Sequence, residues 1–598
     1  MPPMFLRAKI RRKDGKEHRY WTVVENRRVG DRVVQHDLLY LGELNDAQHA
    51  GWVRATKVFD DTRTRGPRAR QLALFPQDRP APASLACEAV NVRLDQIELR
   101  NPRQWGACWL ALHLWETLEL DSFWAPLLPA SRKGTRWLNV LKSLVAYRLI
   151  DPGSEYRFHR EWFERNAMAD LLGEDFALAQ KDKPYRCLDR LLKHKEALFD
   201  FLKLRWSQLF SATYDVLLYD LTSTYFESNP PEPGSASKKR FGYSRDHRSD
   251  CVQVVVALVV TPEGFPLAYE VYPGNTRDTA TLEAFLDKIE ARFGKARRTW
   301  LMDRGIPTEE TLEKMRARAI GYLVGTPKGR LTKLEKDLLE RPWSHARESV
   351  RVKTLGLEQE TYVYVESHDR VAKERSMRRR RLKRLWKTLH DLSARKRLQR
   401  DELLMALGAA KKEAGRAWRL VDIRVPQPRE AVSKQTFAFS LNRAKLREAR
   451  RREGRYLLRL NLATATPETL WENYLLLTRI EQAFKDLKGD LRVRPIWHQK
   501  EDRIEAHIFV SFLAYCLHTT LRNQSRGVAG GLSSHTVLQQ LASIQMIDVH
   551  LPTTDGRRIV MSRYTQPSKA VALLLSHLGL NLPEQPPPRL QATGALEV

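Results

Sequence analysis

Residues 213–226, TYDVLLYDLTSTYF, constrain the fold of this chain more than any other stretch. Their β-branched and aromatic residues form an apolar run that ends on a carboxylate, Asp220. The pattern predicts a buried strand that delivers an acid to the edge of a sheet. It returns at residues 299–303, TWLMD, a short apolar strand closing on Asp303 and followed by Arg304 and Gly305 as a strand-to-helix turn. A third acid, Glu481, lies in the helical run YLLLTRIEQAFKDLK of residues 474–488. Three acids on two strands and one helix, each beside apolar residues, suggest a site for divalent metal ions. Converging carboxylates repel one another without a cation, so such a set is seldom merely structural.

On the third element, Tyr474, Glu481 and Lys488 are spaced two helical turns apart and share one stripe. Ile480, Phe484, Leu487 and Leu491 form an apolar stripe about 100° away, which puts Glu481 at the border of the buried face. A strand Asp, a strand Asp-Arg-Gly and a helix with Tyr-x6-Glu-x6-Lys resemble the DDE transposases of bacterial insertion sequences, in the group with a Tyr-Arg-Glu-Lys signature. The motif's Arg, four residues before the Glu, is replaced here by Leu477, and Arg479 points about 200° away around the helix. Residues 238–248, KKRFGYSRDHR, are similar to the family's Gly-Tyr-Ser-x-Asp-His-Arg run. Basic residues interleaved with aromatics suit phosphate contact and base stacking, with Lys239, Arg245, His247 and Arg248 as the candidates; a solvated basic loop is the plainer alternative. The turn Pro273-Gly274-Asn275-Thr276-x-Asp278 also matches, although Gly-Asn is common turn chemistry. Trp300 would stack on a flipped base or, as strand residues more often do, fill the core.

The resemblance implies roles. Asp220 would bridge two Mg²⁺ ions, with Mn²⁺ as a substitute, Asp303 would bind one and Glu481 the other, while Tyr474 and Lys488 would contact DNA phosphate near the cut. Hard Mg²⁺ takes oxygen ligands and keeps waters, so three carboxylates suffice. Two such ions about 4 Å apart activate a water or a 3′-hydroxyl and stabilise the leaving oxygen at phosphorus.

Charge points the same way. Lys and Arg total 102 against 72 Asp and Glu, a balance of +30, and a surplus of that size calls for a polyanion, nucleic acid before a membrane surface. The apolar runs CVQVVVALVV and IFVSFLAYCL are about half the length that spans a bilayer. The N-terminus MPPMFLRAKIRRK lacks the apolar core of a signal peptide. Cysteines 87, 108, 187, 251 and 516 have no paired spacing, which argues against a zinc site or disulfide framework. The expectation is a cytoplasmic, nucleoid-associated protein.

In chain order, residues 1–62 predict a β unit of two strands joined at Gly30-Asp31, and residues 63–100 a basic linker. Residues 101–212 predict helices, stopped once at Asp151-Pro152-Gly153. They suit a module that binds DNA ends, or equally a helical domain packed on the core with a solvated basic face. Residues 213–330 alternate as strand, basic loop, strand, strand, helix, strand, helix, strand. That is the order of an RNase H-like domain, its second part at residues 465–525. Between them, residues 331–464 predict a mixed insertion, as the resemblance also implies. Residues 370–400 hold fourteen Lys or Arg and two acids, with an apolar stripe at Leu382, Leu385, Trp386, Leu389 and Leu392; Leu403, Leu404 and Leu407 return as an antiparallel partner, or the segment is a charged coiled-coil spacer. Residues 526–598 predict one or two helices and a disordered Pro-rich tail. The fold class expected is α/β (α+β).

The resemblance implies a transposase that cuts double-stranded DNA at the terminal inverted repeats of its element and joins the freed 3′-hydroxyl to target DNA, as a homodimer holding two ends. The same acids would support an RNase H-like nuclease without strand transfer, and the charge an inactive DNA-binding derivative. No Gly-x4-Gly-Lys-Ser/Thr loop, Gly-x-Ser-x-Gly elbow or His-Glu-x-x-His occurs.

Overall fold

A computed structural model of the chain describes residues 4–591, apart from 14–15, 30–31, 65–90, 233–235, 247, 295–297, 304, 327–333, 335–336, 339–340, 348–349, 358, 396 and 463–465. The expected turn at Gly30-Asp31, most of the expected linker, His247 and Arg304 therefore lie outside the described residues. In chain order the strands are β1 (Met4–Lys13), β2 (Lys16–Val29), β3 (Arg32–Glu43), β4 (Glu98–Gln104), β5 (Val216–Phe226), β6 (Val252–Val260), β7 (Pro266–Pro273), β8 (Thr299–Met302) and β9 (Gly321–Gly325). They continue as β10 (Ser344–Arg347), β11 (Val350–Leu357), β12 (Glu360–Ser367), β13 (Val421–Arg424), β14 (Ala438–Leu441), β15 (Arg455–Leu460), β16 (Gln545–Pro552), β17 (Arg558–Tyr564) and β18 (Arg589–Gln591). Two compact units result, one of residues 1–9, 19–298 and 476–598, the other of residues 10–18 and 299–475.

In the first unit β5, β6 and β7 pair antiparallel, Asp220 opposite Leu258. The unbroken Val-rich sequence of β6 is buried at every position, which requires cover on both faces. The β6–β7 turn needs Gly264, whose φ is +93° and whose added Cβ would meet the Arg522 guanidinium at 2.1 Å. The helix Glu501–Arg526 is buried on all sides from Ile504 to Leu521. By length and composition it is apolar enough to cross a membrane, but 94% of that window is buried inside the protein. Helices Gly106–Thr117 and Trp137–Ile150 pack on it, so the helical segment shares a core with β5–β7. Phe199 lies 4.9 Å from Phe512 and Trp206 stacks 5.1 Å from Phe265, ring centre to ring centre.

Both ends of the chain depart from expectation. The N-terminal sheet has three strands in the order β1-β2-β3 rather than two, and is followed by a helix, Asp46–Thr64. It docks on the C-terminal helix Lys569–Leu578, with Lys569 Nζ 3.2 Å from Glu25 and the Trp52 ring 4.5 Å from that of His577. The C-terminal region also carries strands. β16 pairs with β17 and with β4, which spans the end of the expected linker and the start of the expected helical segment. The Pro-rich tail is ordered up to residue 591: β18 pairs with β17, Gln585 and Tyr564 exchange hydrogen bonds of 3.0 and 2.9 Å, and the Pro586 carbonyl accepts from Arg563. Proline's missing N–H costs nothing at such an edge.

In the second unit β8 and β9 are parallel and joined by helix Glu309–Ala317. β9 continues antiparallel into β15, β12, β11 and β10. The expected insertion is thus not wholly separate, because its flanking strands lengthen the β8–β9 sheet. Only helices His368–Ser393 and Arg400–Ala414 with β13 and β14 form their own lobe, on a core of Leu385, Leu389, Leu392, Leu403, Leu407 and Phe437. Leu404, read with Leu403 and Leu407 as the antiparallel partner, is 36% exposed.

Leu389 is fully buried in the lobe core. Leu389→Ala should cost about 2–5 kcal/mol of local stability, read as faster hydrogen exchange over residues 368–414; unchanged exchange would mean the two helices do not depend on that core.

Candidate active site

The three acids occupy a strand, a strand end and a helix, in different units. Asp220 is half-buried in the middle of β5, and its Oδ1 accepts the Leu221 N–H at 2.7 Å. The sequence placed it at a strand end; β5 instead runs six residues further to Phe226, because Thr222, Ser223, Thr224 and Tyr225 keep the β-branched and aromatic character that sustains a strand. Just ahead of it, buried Tyr219 donates to Thr281 Oγ1 at 2.8 Å, tying the strand to the start of helix Leu282–Phe293. Asp303, in the second unit, directly follows β8 and is exposed; its carbonyl accepts the Ile306 N–H at 3.2 Å in the turn to helix Glu309–Ala317. Thr308 caps that helix, and Arg459 grips its first residue, Glu309, with two bonds of 2.7 and 2.8 Å. Trp300 on β8 is buried in the core, not presented for stacking.

Glu481 is exposed on the helix Pro467–Lys488, in the first unit, flanked by buried Ile480, Ala483 and Phe484. This is the border position that the apolar stripe predicted. The chain leaving the helix docks on the far half of β5, where Thr224 Oγ1 bonds the Val493 carbonyl at 3.4 Å and the Ile496 N–H bonds the Tyr225 carbonyl at 3.2 Å. The strand of Asp220 and the helix of Glu481 are therefore fastened together. The side chain of Tyr474 lies outside what the structure describes.

The basic loop and the Glu481 helix also meet. Lys488 Nζ sits 3.0 Å from Asp246, and Arg494 pairs with the same carboxylate. Burial disfavours both charges, but Arg494 and Lys488 prevail at Asp246 and hold its carboxyl below the ordinary range. At Lys488 burial wins and lowers the ammonium's pKa despite Asp246. Asp246 is the one acid between Lys238 and Arg248, and that oddity was the available signal of an organising role. Two glycines fix the loop's course. Gly242 packs so tightly on the Gly274 carbonyl that a Cβ would come within 2.0 Å, and Gln253 Nε2 donates to the carbonyls of Tyr243 and Gly274 at 3.0 and 2.9 Å. The two turn motifs of the sequence are thus one structure.

The loop's expected DNA contacts divide. Lys239 is 4% exposed, bonded at 2.7 Å to Gln499 and lying over the Phe226 ring, so it is a strut and not a surface cation. Arg245 pairs with Asp278, and Arg248 with Glu227 and Asp250 at 2.9 Å while covering Tyr225. Between them Phe241 and Tyr243 stand 53% and 82% exposed.

Two further clusters join histidine and carboxylate. Glu155 lies 3.1 Å from His498 and 3.2 Å from His507, but the buried Arg148 guanidinium, 3.3 Å from His507, already balances its charge. Burial, reinforced by Arg148, pushes His507 down to about 4. Asp486 and Asp490 face opposite ring nitrogens of His518 at 3.7 and 3.6 Å. That arrangement suits a clamp between helices better than a shared cation.

A family model, the transposase DDE domain, matches residues 211–517, just over half of the chain. The chain belongs to the transposase DDE domain family. The matched span runs from just ahead of β5 into the buried helix Glu501–Arg526, so it contains all three acids and both glycine turns, and it fits the mixed α/β, RNase H-like order of elements. Members of that family are DDE transposases, which generally use divalent metal ions. Among solved structures, the chain is similar to a Mos1 transposase paired-end complex with left transposon end, at 12% identity over 31% of this chain and 57% of that one, with a TM-score of 0.13. It is similar also to a pre-cleavage Mos1 transpososome, at 11% identity over 36% of this chain and 77% of that one, again at 0.13. Scores that low place no residue of this DDE domain. No curated protein matches the chain.

Asp246→Asn leaves Lys488 and Arg494 adjacent with no counter-charge, and should cost about 1–3 kcal/mol of stability near neutral pH. Because the Asp246 carboxyl is depressed in the fold, its contribution is present above its unfolded pKa, about 4, and is lost as pH falls through the lower folded value. Urea unfolding of parent and variant should converge as pH drops below about 4; a gap that persists there would remove the ion pairs as its cause.

Proposed function

We propose that this chain is a metal-dependent insertion-sequence transposase of the Tyr-Arg-Glu-Lys group, cutting the ends of its element and joining the freed 3′-hydroxyl to target DNA. The observation that carries the reading is the fastening of Lys488 on the Glu481 helix to Asp246 in the basic loop, which assembles the family's helix motif and its Gly-Tyr-Ser-x-Asp-His-Arg run into one construction. Asp220, Asp303 and Glu481 form the metal-binding set in this reading. Their donor chemistry, carboxylate oxygen throughout, fits Mg²⁺, with Mn²⁺ as substitute. When bound, the ions activate the attacking water or hydroxyl and offset the charge of the leaving oxygen.

The chain's own residues do the rest. Leu221 N–H holds the Asp220 carboxylate in orientation, and Arg459, through Glu309, steadies the helix that follows Asp303. Phe241 and Tyr243 offer flat apolar faces to bases beside the cut, a contact worth about 1–3 kcal/mol per base. Arg245 and Arg248 supply cations that exchange their acidic partners for phosphate. On helix His368–Ser393, Arg379, Arg380 and Arg381 are exposed and suit backbone contact, whereas Arg378 is engaged by Glu453. Leu477 in place of the signature's Arg removes one cation from the family's set. The protein acts on the bacterial nucleoid, as a homodimer holding two double-stranded ends.

Incubation with Mg²⁺ or Mn²⁺ and DNA bearing the sequences that flank its own gene should give cleavage at defined ends and joined products. Asp220→Ala, Asp303→Ala and Glu481→Ala should each lose at least about a hundredfold in rate, some 2.7 kcal/mol of barrier. Cleavage without joined products would indicate a nuclease, and binding without cleavage a DNA-binding derivative.

A further inference from the structure

A cleft of about 590 Å³ opens in the first unit, and none of the three acids lines it. Four separated segments line it: Gln104 at the end of β4, residues 150–166 of the helical segment, residues 489–492 just past the Glu481 helix, and the helix Ser534–Leu541. Its charges are unevenly matched. Asp151 is taken by a two-bond pair with Arg157, at 3.0 and 2.6 Å; Glu161 lies 3.7 Å from the same guanidinium, and Asp490 faces His518. Arg165 and Arg492, both exposed, have no ion-pair partner among the described residues, and His535 lines the same wall. Each of the cleft's three acids has a partner within the protein, Asp151 and Glu161 sharing one, while two of the three guanidiniums have none among the described residues.

Arg492 is also held in an unusual way. Its φ is +39°, in the left-handed region that a side chain disfavours. The neighbours leave it no alternative: Leu491 and Val493 are buried, and their N–H groups cap the Glu481 helix on the carbonyls of Asp486 and Leu487 at 2.9 and 3.0 Å. The Arg492 carbonyl accepts from buried Arg148 at 3.3 Å, and Arg148 is itself fixed by Glu155 and His507. A strained arginine, kept on a cleft wall by a buried network and given no acid, is prepared for an anion from outside.

We propose that this cleft binds the sugar–phosphate backbone of duplex DNA through Arg165 and Arg492. The inference deepens the function proposed above and rests on it for the choice of DNA as the polyanion. Guanidinium pairs take phosphate oxygens two at a time, and Gln539, 2.9 Å from His535 on the same wall, adds an amide beside them. Because Arg492 lies between the two residues that cap the Glu481 helix, DNA held here is registered against that helix.

The test measures binding of a 30-base-pair duplex by the Asp220→Ala protein, so that cleavage does not enter, over a range of salt. Removing one cation that meets a phosphate should reduce the slope of log K against log salt by about 0.9. Arg165→Gln with Arg492→Gly should therefore flatten the slope by about 2, and Arg492→Lys should keep its share. Glycine accepts the left-handed φ, so Arg492→Gly removes the charge without adding strain, and an unchanged melting temperature checks the fold. An unchanged slope in the double variant overturns the proposal. So does a melting temperature raised by inorganic phosphate in the parent and not in the double variant, without a slope change, which would mark a small-anion site. Failure of the transposase reading would appear separately, as parent protein that binds the duplex and never cuts it.

Discussion

A largely buried helix is fixed by the partners that its polar groups find, and helix Glu501–Arg526 organises the first unit in that way. Glu505 is met by Lys195 at 3.1 Å and by Lys238 at 3.2 Å, the latter from the basic loop. His507 is met by Arg148 and Glu155 from the helical segment. Tyr515 donates to the Gly264 carbonyl in the β6–β7 turn at 2.9 Å, and Arg522 reaches Asp486 on the Glu481 helix at 3.0 Å. An apolar helix could slide or rotate against its neighbours at small cost. One pinned by ion pairs and buried hydrogen bonds to four different segments has a single register, since leaving any of those groups unpaired costs more than the bond itself contributes.

The charge surplus of the chain is therefore less free than its sum suggests. Lys195, Lys238, Lys239, Arg148 and Lys488 all serve internal contacts, as does Arg378 in the second unit. What remains at the surface is patterned: exposed aromatics beside loop arginines, one face of a long helix, and a cleft whose acids are already taken. Such patterning separates a protein that merely adheres to DNA from one that orients it, because position and not net charge decides which phosphates are met.

The strands and helices that carry the three acids were legible from the sequence because their signals are local. The Val-rich run of β6, the Gly264 turn and the stripe around Glu481 are each specified by residues within a dozen positions. The same reading failed where the partner is distant. β4, with sequence ELRNPRQ, is polar and contains Pro102, and only its pairing with β16, some 450 residues away, makes it a strand. The tail PEQPPPRL has a disordered composition and becomes ordered by contacts with β17. Asp220 was read as a strand end because the acid interrupts an apolar run, yet pairing with β6 carries the strand through it. Of the expected phosphate contacts, Lys239 was misread because burial of a lysine leaves no mark on its own neighbours in sequence.

The pairing of β4 with β16 sets an order of events during synthesis. Residues 98–104 leave the ribosome long before their partners at 545–552, and β18 closes the sheet only at residue 591. Strands β9 to β15 have their described pairings within residues 299–460 and can form while the residues that follow are still being made. Contacts that span most of a chain form slowly and late. The first unit, with its cleft and the helix of Glu481, is thus completed only after residues 545–591 have been made, and a shorter nascent chain carries β4 without its partner strand.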